Sequence, residues 1–134
     1  MTSVLVDSNV LIDILTDDPV WHSWSDAALL RAGNGRQLVI NPIIYAEVSA
    51  YFDRIEEIEV VLPAADFSRE DIPYDAAFLA GKAFIAYRKR GGVRRSPLPD
   101  FFIGAHALVA DYALLTRDAA RYRTYFPKLQ LISP

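Results

Sequence analysis

Cysteine is absent from all 134 residues. No disulfide framework can form, which suits a reducing compartment. Soft thiolate metal sites are excluded as well. No apolar run reaches the roughly 18 residues that a membrane span needs. Met1-Thr2-Ser3 has neither the basic stretch nor the long apolar stretch of a secretion signal. The expectation is a cytoplasmic protein without a membrane segment. Repeats and low-complexity tracts are missing, which sets aside solenoids and extended linkers. An excess of positive charge is missing too. The formal net charge is −3, where a passive nucleic-acid coat would be basic.

What is present is largely apolar. Hydrophobic residues make up 52% of the chain, enough to fill a core. One domain over residues 1–134 is the default at this length. The charge is segregated. From Lys82 to Arg95 there are six basic residues (Lys82, Arg88, Lys89, Arg90, Arg94 and Arg95) and no acid. The rest of the chain is therefore strongly acidic, and its acids need an explanation.

Short apolar runs alternate with helical patterns. Val4-Leu5-Val6, Gln37–Ile40, Ala113–Thr116 and Leu129–Ile132 read as buried strands. Ser8 or Asn9 can cap a helix that runs to about Leu15, and Asp17-Asp18-Pro19 can open another that ends near Gly33. Asn41-Pro42 predicts a helix continuing through Phe52, and Ile55 to Leu62 a further one. Pro73 opens a helix that Gly91-Gly92 stops after Arg90, and one more runs from about Pro99-Asp100 to Asp111. Asp118 to Tyr125 reads as a short last helix. The pattern predicts an α/β fold: a central, mostly parallel sheet of four or five short strands with helices on both faces. In such folds, sites gather at the carboxyl ends of the strands.

Four acids fall at that edge. Asp7 directly follows Val4-Leu5-Val6. Its bland reading is an Asx turn. Glu47 stands at i+4 from Ile43 and i+3 from Ile44, within or beside the apolar stripe of its helix, with no cation at i+3 or i+4. The bland reading there is an edge glutamate whose head reaches water. Asp100 lies in the first turn of its helix and Asp118 at the start of another, where acids commonly serve the orphan N–H groups. Together the four converge if the sheet is doubly wound. Like charges about 4 Å apart cost roughly 4 kcal/mol per pair at an effective dielectric near 20. Such a cluster must bind protons or a cation. With oxygen donors only, the natural cation is Mg²⁺ or Mn²⁺. The two histidines, His22 and His106, form no metal spacing of their own, and His106 is expected on a helix face. An open carboxylate site of this kind can bind phosphate oxygens, lower the pKa of a bound water and steady a leaving oxygen. That is the chemistry of phosphodiester hydrolysis. Arg88, Lys89, Arg90, Arg94 and Arg95 could clamp the backbone of RNA beside it. A solvated helix end is the plainer reading of these residues.

The segments "VLVDSNVLID", "NPIIYAEV", "LPDFFIGAHA" and "LLTRDAARY" resemble, in order and spacing, the signature segments of PIN-domain ribonucleases. More closely, they resemble the VapC-type toxins of prokaryotic toxin–antitoxin pairs. The resemblance spans Val4 to Ile132. It implies a PIN-like nuclease domain with Asp7, Glu47, Asp100 and Asp118 as the catalytic and metal-binding acids. It also implies that Asn9 and Thr116 support them through hydrogen bonds. The substrate so implied is RNA, commonly structured RNA such as tRNA, cut to leave a 3′-hydroxyl and a 5′-phosphate. The implied partners are a small antitoxin and a second copy of the chain in a homodimer. Phe101-Phe102 departs from the small or aliphatic residues usual after the third acid. A different class of function stays open beside this one: a non-catalytic module that binds RNA or a peptide, with Trp21, Trp24, Phe101 and Phe102 as interface anchors.

Overall fold

The structure is a computed structural model that describes residues 2–92 and 97–134. Strand β1 (Val4–Val6) has no water-accessible residue because it lies at the centre of a sheet. Around it stand β2 (Leu38–Ile40), β3 (Ser68–Arg69), β4 (Ala113–Leu115) and β5 (Leu131–Ile132), in the order β3-β2-β1-β4-β5. Every pairing is parallel. Val4, Leu5 and Val6 face Ala113, Leu114 and Leu115 in register. That register sets the residues that follow them, Asp7 and Thr116, side by side.

Parallel neighbours need crossovers, and here helices supply them. Helices α1 (Ser8–Leu15) and α2 (His22–Ala32) join β1 to β2, and α3 (Pro42–Ser49) and α4 (Ile55–Val61) join β2 to β3. Both steps move the same way across the sheet. The next connection, α5 (Tyr74–Lys89) and α6 (Leu98–Ala110), returns past β1 to β4, and α7 (Ala120–Tyr125) leads on to β5. Right-handed crossovers then put α1 to α4 on one face and α5 to α7 on the other. The packing agrees: α1 lies against α2 and α3, and α6 against α5 and α7. The direction of winding reverses between β1 and β4. That is where an α/β sheet opens a crevice at its carboxyl edge.

Several boundaries differ from the sequence expectation, each for a local reason. Asp7, not Ser8 or Asn9, occupies the N-cap position of α1, yet its side chain caps nothing. Helix α2 starts three residues after Pro19. The Asp18 carboxylate accepts bonds from the Val20 and Trp21 N–H groups at 2.9 and 2.8 Å, which closes a turn where a helix was expected. Helix α3 stops at Ser49, so Tyr51 lies beyond it and is exposed. Strand β3 was not legible, because two residues in a polar stretch carry no apolar alternation. Gly91 ends α5 with φ of 86°, a backbone that glycine adopts without strain.

Candidate active site

Asp7 carries the centre of the site. It is 3% exposed. Its Oδ2 accepts bonds from the Thr116 hydroxyl at 2.9 Å, the Tyr122 hydroxyl at 2.9 Å and the Asn9 amide at 3.3 Å. Asn9 also donates to Thr116 Oγ1 at 3.1 Å and accepts from the Arg117 N–H at 3.3 Å, and the Asp118 N–H donates to Thr116 Oγ1 at 3.2 Å. Asn9 and Thr116 thus bond both to the acid and to each other. Among the described residues, the other oxygen, Oδ1, meets only the Ser8 hydroxyl at 3.5 Å. That hydroxyl has one proton, and it lies 2.7 Å from Glu47 Oε1. The shorter bond takes the proton, so Asp7 Oδ1 is left with a weak partner beside two further carboxylates.

Those carboxylates act on one another. Burial pushes the Asp7 carboxyl up to about 6, and the nearby charges of Asp100 and, more weakly, Glu47 add to the rise. The Tyr122 and Thr116 donors oppose it. Burial likewise raises Glu47, against the Ser8 bond and with the Asp100 charge. Burial raises Asp100, opposed by Arg121 and reinforced by Asp118. Tyr122, deep under the acids, is raised well above 10 by burial and then by the charges of Asp7 and Asp100. Its hydroxyl therefore stays a donor. Asp7, Glu47 and Asp100 form one electrostatic neighbourhood, and Asp118 joins it through Asp100 from an exposed rim position. The plain reading holds in part for Asp100, which lies in the first turn of α6, and for Glu47, which is partly exposed, but not for the other two. Asp7 makes no cap bond, and Ala119, not Asp118, sits at the N-cap of α7.

A cation of the chain itself enters the cluster. Arg121 Nη1 donates to Asp100 Oδ2 at 2.6 Å. Among the described residues, no three histidine, aspartate or glutamate side chains form a ready-made metal cradle. Asp7 Oδ2 is held by its donors and Asp100 Oδ2 by Arg121. The donor set still fits a hard divalent ion, since it is all oxygen and the acids' combined charge exceeds what one arginine cancels.

The basic residues divide. Arg90 lies over the Tyr125 ring at 5.6 Å, next to Arg121, which lies over Tyr87 at 5.9 Å. Arg88 sits over Phe84 of its own helix, and Lys89 is exposed. No bond links either to the acids. Arg94 and Arg95 lie outside the described residues. A cavity of about 700 Å³ lies elsewhere, against Tyr45, Glu59 and Arg69, and none of the four acids lines it. A groove's size reports shape alone, whereas mutually raised carboxylates report chemistry, so the acids define the candidate site.

Sequence reasoning missed Ser8, Arg121, Tyr122 and the pair Asp13–Arg117. Arg121 and Tyr122 follow Asp118 by three and four residues, the spacing of one helical face, which was a usable signal. Asp13 is 1% exposed and accepts from Ser25 Oγ at 2.8 Å and Arg117 Nε at 2.7 Å. It ties α1 to the segment leaving β4. His106, expected on a helix face, is buried. Its Nδ1 faces the Asn41 amide at 3.0 Å, while Asn41 Oδ1 accepts from the Ile44 N–H at 3.0 Å and caps the helix that carries Glu47. Phe101 is fully buried core, while Trp21, Trp24 and Phe102 are partly buried, Trp24 and Phe102 packing against that core.

Compared with known proteins, residues 4–127 match the family described as PIN domain. No curated protein matches in sequence. Among solved structures, a chain of VapBC-1 from nontypeable Haemophilus influenzae is similar at a TM-score of 0.73 and 20% identity, covering 97% of this chain and 96% of that one. A chain of VapBC2 from Rickettsia felis, bound to a DNA fragment from their promoter, gives 0.70 and 17%, covering 98% of each. A chain of a toxin–antitoxin complex from Klebsiella pneumoniae gives 0.67 and 23%, covering 97% and 96%. At these identities the likeness is one of fold.

Proposed function

This chain belongs to the PIN domain family, and from that premise we propose that it is a divalent-metal-dependent endoribonuclease, the VapC-type toxin of a toxin–antitoxin pair. The observation that carries the reading is the convergence of Asp7, Glu47 and Asp100, with Asp118 at the rim, on the point where the winding of the sheet reverses. Asp7, Glu47, Asp100 and Asp118 would hold Mg²⁺ or Mn²⁺. When bound, the ion supplies positive charge that lowers the pKa of water and steadies the leaving oxygen of a phosphodiester. Within the chain, Thr116, Asn9 and Tyr122 hold Asp7 Oδ2 and leave Oδ1 toward the cluster. Ser8 fixes Glu47 against Asp7. Arg90, which lines a cleft with Arg121, and Arg88 and Lys89 on the same helix end supply positive charge for an RNA backbone. A small antitoxin and a second copy of the chain are the partners this reading brings with it.

The Arg121–Asp100 pair favours a second reading, a non-catalytic module whose own arginine neutralises the cluster. Charge weighs against it. Among the described residues, Arg121 is the one cation paired with any of the four acids, and both members of the pair are over a third exposed, at 40% and 34%, where such pairs hold weakly. Incubation with total RNA, with and without Mg²⁺, separates the two. Wild type cuts only with the ion, and Asp7→Asn loses at least a hundredfold in rate while keeping its fold by circular dichroism. Equal rates for the two proteins would remove the nuclease assignment.

A further inference from the structure

Beside the acids lies a second feature that the four carboxylates do not explain. A cleft of about 510 Å³ runs between the end of α5 and α7, lined by Tyr87, Arg90, Arg121 and Tyr125 with the Gly91-Gly92 backbone. Its two guanidiniums each lie over a tyrosine face, Arg121 on Tyr87 and Arg90 on Tyr125. The rings are themselves anchored, since both Tyr87 and Tyr125 pack edge-on against the buried Phe101. The arginines are therefore presented on a rigid floor. Arg90 is exposed and meets no carboxylate among the described residues. Arg121 spends one N–H on Asp100 and has four more to offer.

We propose that this cleft binds one nucleotide of single-stranded RNA next to the bond being cut, its phosphate held between Arg90 and Arg121 and its base stacked on a guanidinium plane. The inference rests on the nuclease reading for its substrate. The chemistry fits that class. Arginine forks match phosphate oxygens and stack on bases, and an aromatic ring beneath the fork keeps it flat. Arg121 is the link: the same side chain touches Asp100 and lines the cleft, so a nucleotide held there enters within one residue's reach of the acids.

The test measures binding apart from cutting. Fluorescence anisotropy would follow a labelled oligouridine of about ten nucleotides on Asp7→Asn protein in Mg²⁺ buffer. Adding Arg90→Ala or Arg121→Ala should weaken binding about tenfold each, the worth of one charge-assisted bond. The slope of log affinity against log salt should become shallower by about 0.7 for each phosphate that is no longer held. Arg31→Ala, which removes the same charge at the end of α2, before β2 begins, should leave both unchanged. Unchanged affinity in Arg90→Ala and Arg121→Ala, no binding by the parent, or equal displacement by poly-glutamate overturns the cleft assignment. Wild-type cleavage, measured alongside, separates this from the reading it rests on. RNA cut normally with affinity untouched in both variants fails the cleft alone. Weakened affinity in both variants with no cleavage by wild type fails the nuclease reading and leaves the cleft standing.

Discussion

Asp7 keeps a carboxyl group where the surroundings resist its charge, and that has a measurable cost. An ordinary aspartate titrates at 3.8 and Asp7 at about 6. Between those values the folded chain holds a proton that the unfolded chain has released, so stability falls as pH rises through the window. Below it both states are neutral and nothing is lost. Above it the whole penalty is present, about 3 kcal/mol at 1.36 kcal/mol per pKa unit. Asp7→Asn removes it. In EDTA, urea unfolding should show the variant about 2–3 kcal/mol more stable than wild type above pH 7, with the gap closing toward pH 4. A gap that does not vary with pH would contradict the assignment. Asp13 behaves differently, because its partner is a full cation. Its side chain is 2% exposed, while Arg117 is 30% exposed and rests on Trp21. Arg117→Ala strands a buried carboxylate and should cost about 3 kcal/mol or more. Asp13→Ala frees an arginine that can reach water and should cost less, as equilibrium unfolding of the two variants will show. Asp7, Glu47 and Asp118 could be singled out in the sequence because each follows an apolar strand or lies on the helix beyond it, whereas Asp100 lies on α6, which follows helix α5 and not a strand. Arg121 and Tyr122 were not legible, because their roles depend on how a six-residue helix packs.

The elements position these groups through close approach. Helix α7 lies against α6 at Gly104. A β-carbon there would meet the Phe126 ring at 2.8 Å and the Tyr122 ring at 3.0 Å, inside ordinary contact. Gly104→Ala should therefore push Tyr122 away from Asp7 and destabilise the fold by about 1–3 kcal/mol. Its cleavage rate should fall with it, measured at a temperature where the variant is still folded. A variant with wild-type stability and rate would show that α7 is free to shift. Helix α3 is fixed from its start, where Asn41 caps Ile44 and leans on His106. Burial lowers the His106 pKa, so the neutral ring can accept from the Asn41 amide. Asn41-Pro42 was readable as a cap from sequence. His106 behind it was not, since the contact spans 65 residues. The same limit hid β3, whose pairing with β2 is decided by backbone alone.

At the scale of the molecule, the sheet order decides which segments meet. Strand alternation made the α/β class and the parallel sheet readable, and the all-parallel order β3-β2-β1-β4-β5 agrees. Order itself is not written in any local pattern. Because the acids come from four separate segments, an ion that joins them should brace the whole fold. Mg²⁺ or Mn²⁺ at about 100 times its dissociation constant should add about 2.7 kcal/mol and raise the melting temperature by roughly 10 °C. Differential scanning fluorimetry should show that rise in wild type and a much smaller one in Asp7→Asn. Equal shifts would place the ion elsewhere. The place of β1 between β2 and β4 has one more consequence, and it concerns synthesis. While the ribosome is still short of Ala113, β1 has a neighbour on one side only, and the hydroxyls of Thr116 and Tyr122 do not yet exist to hold Asp7. A nascent or truncated chain that stops there lacks Thr116, Asp118 and Tyr122 and cannot assemble the acid cluster around Asp7.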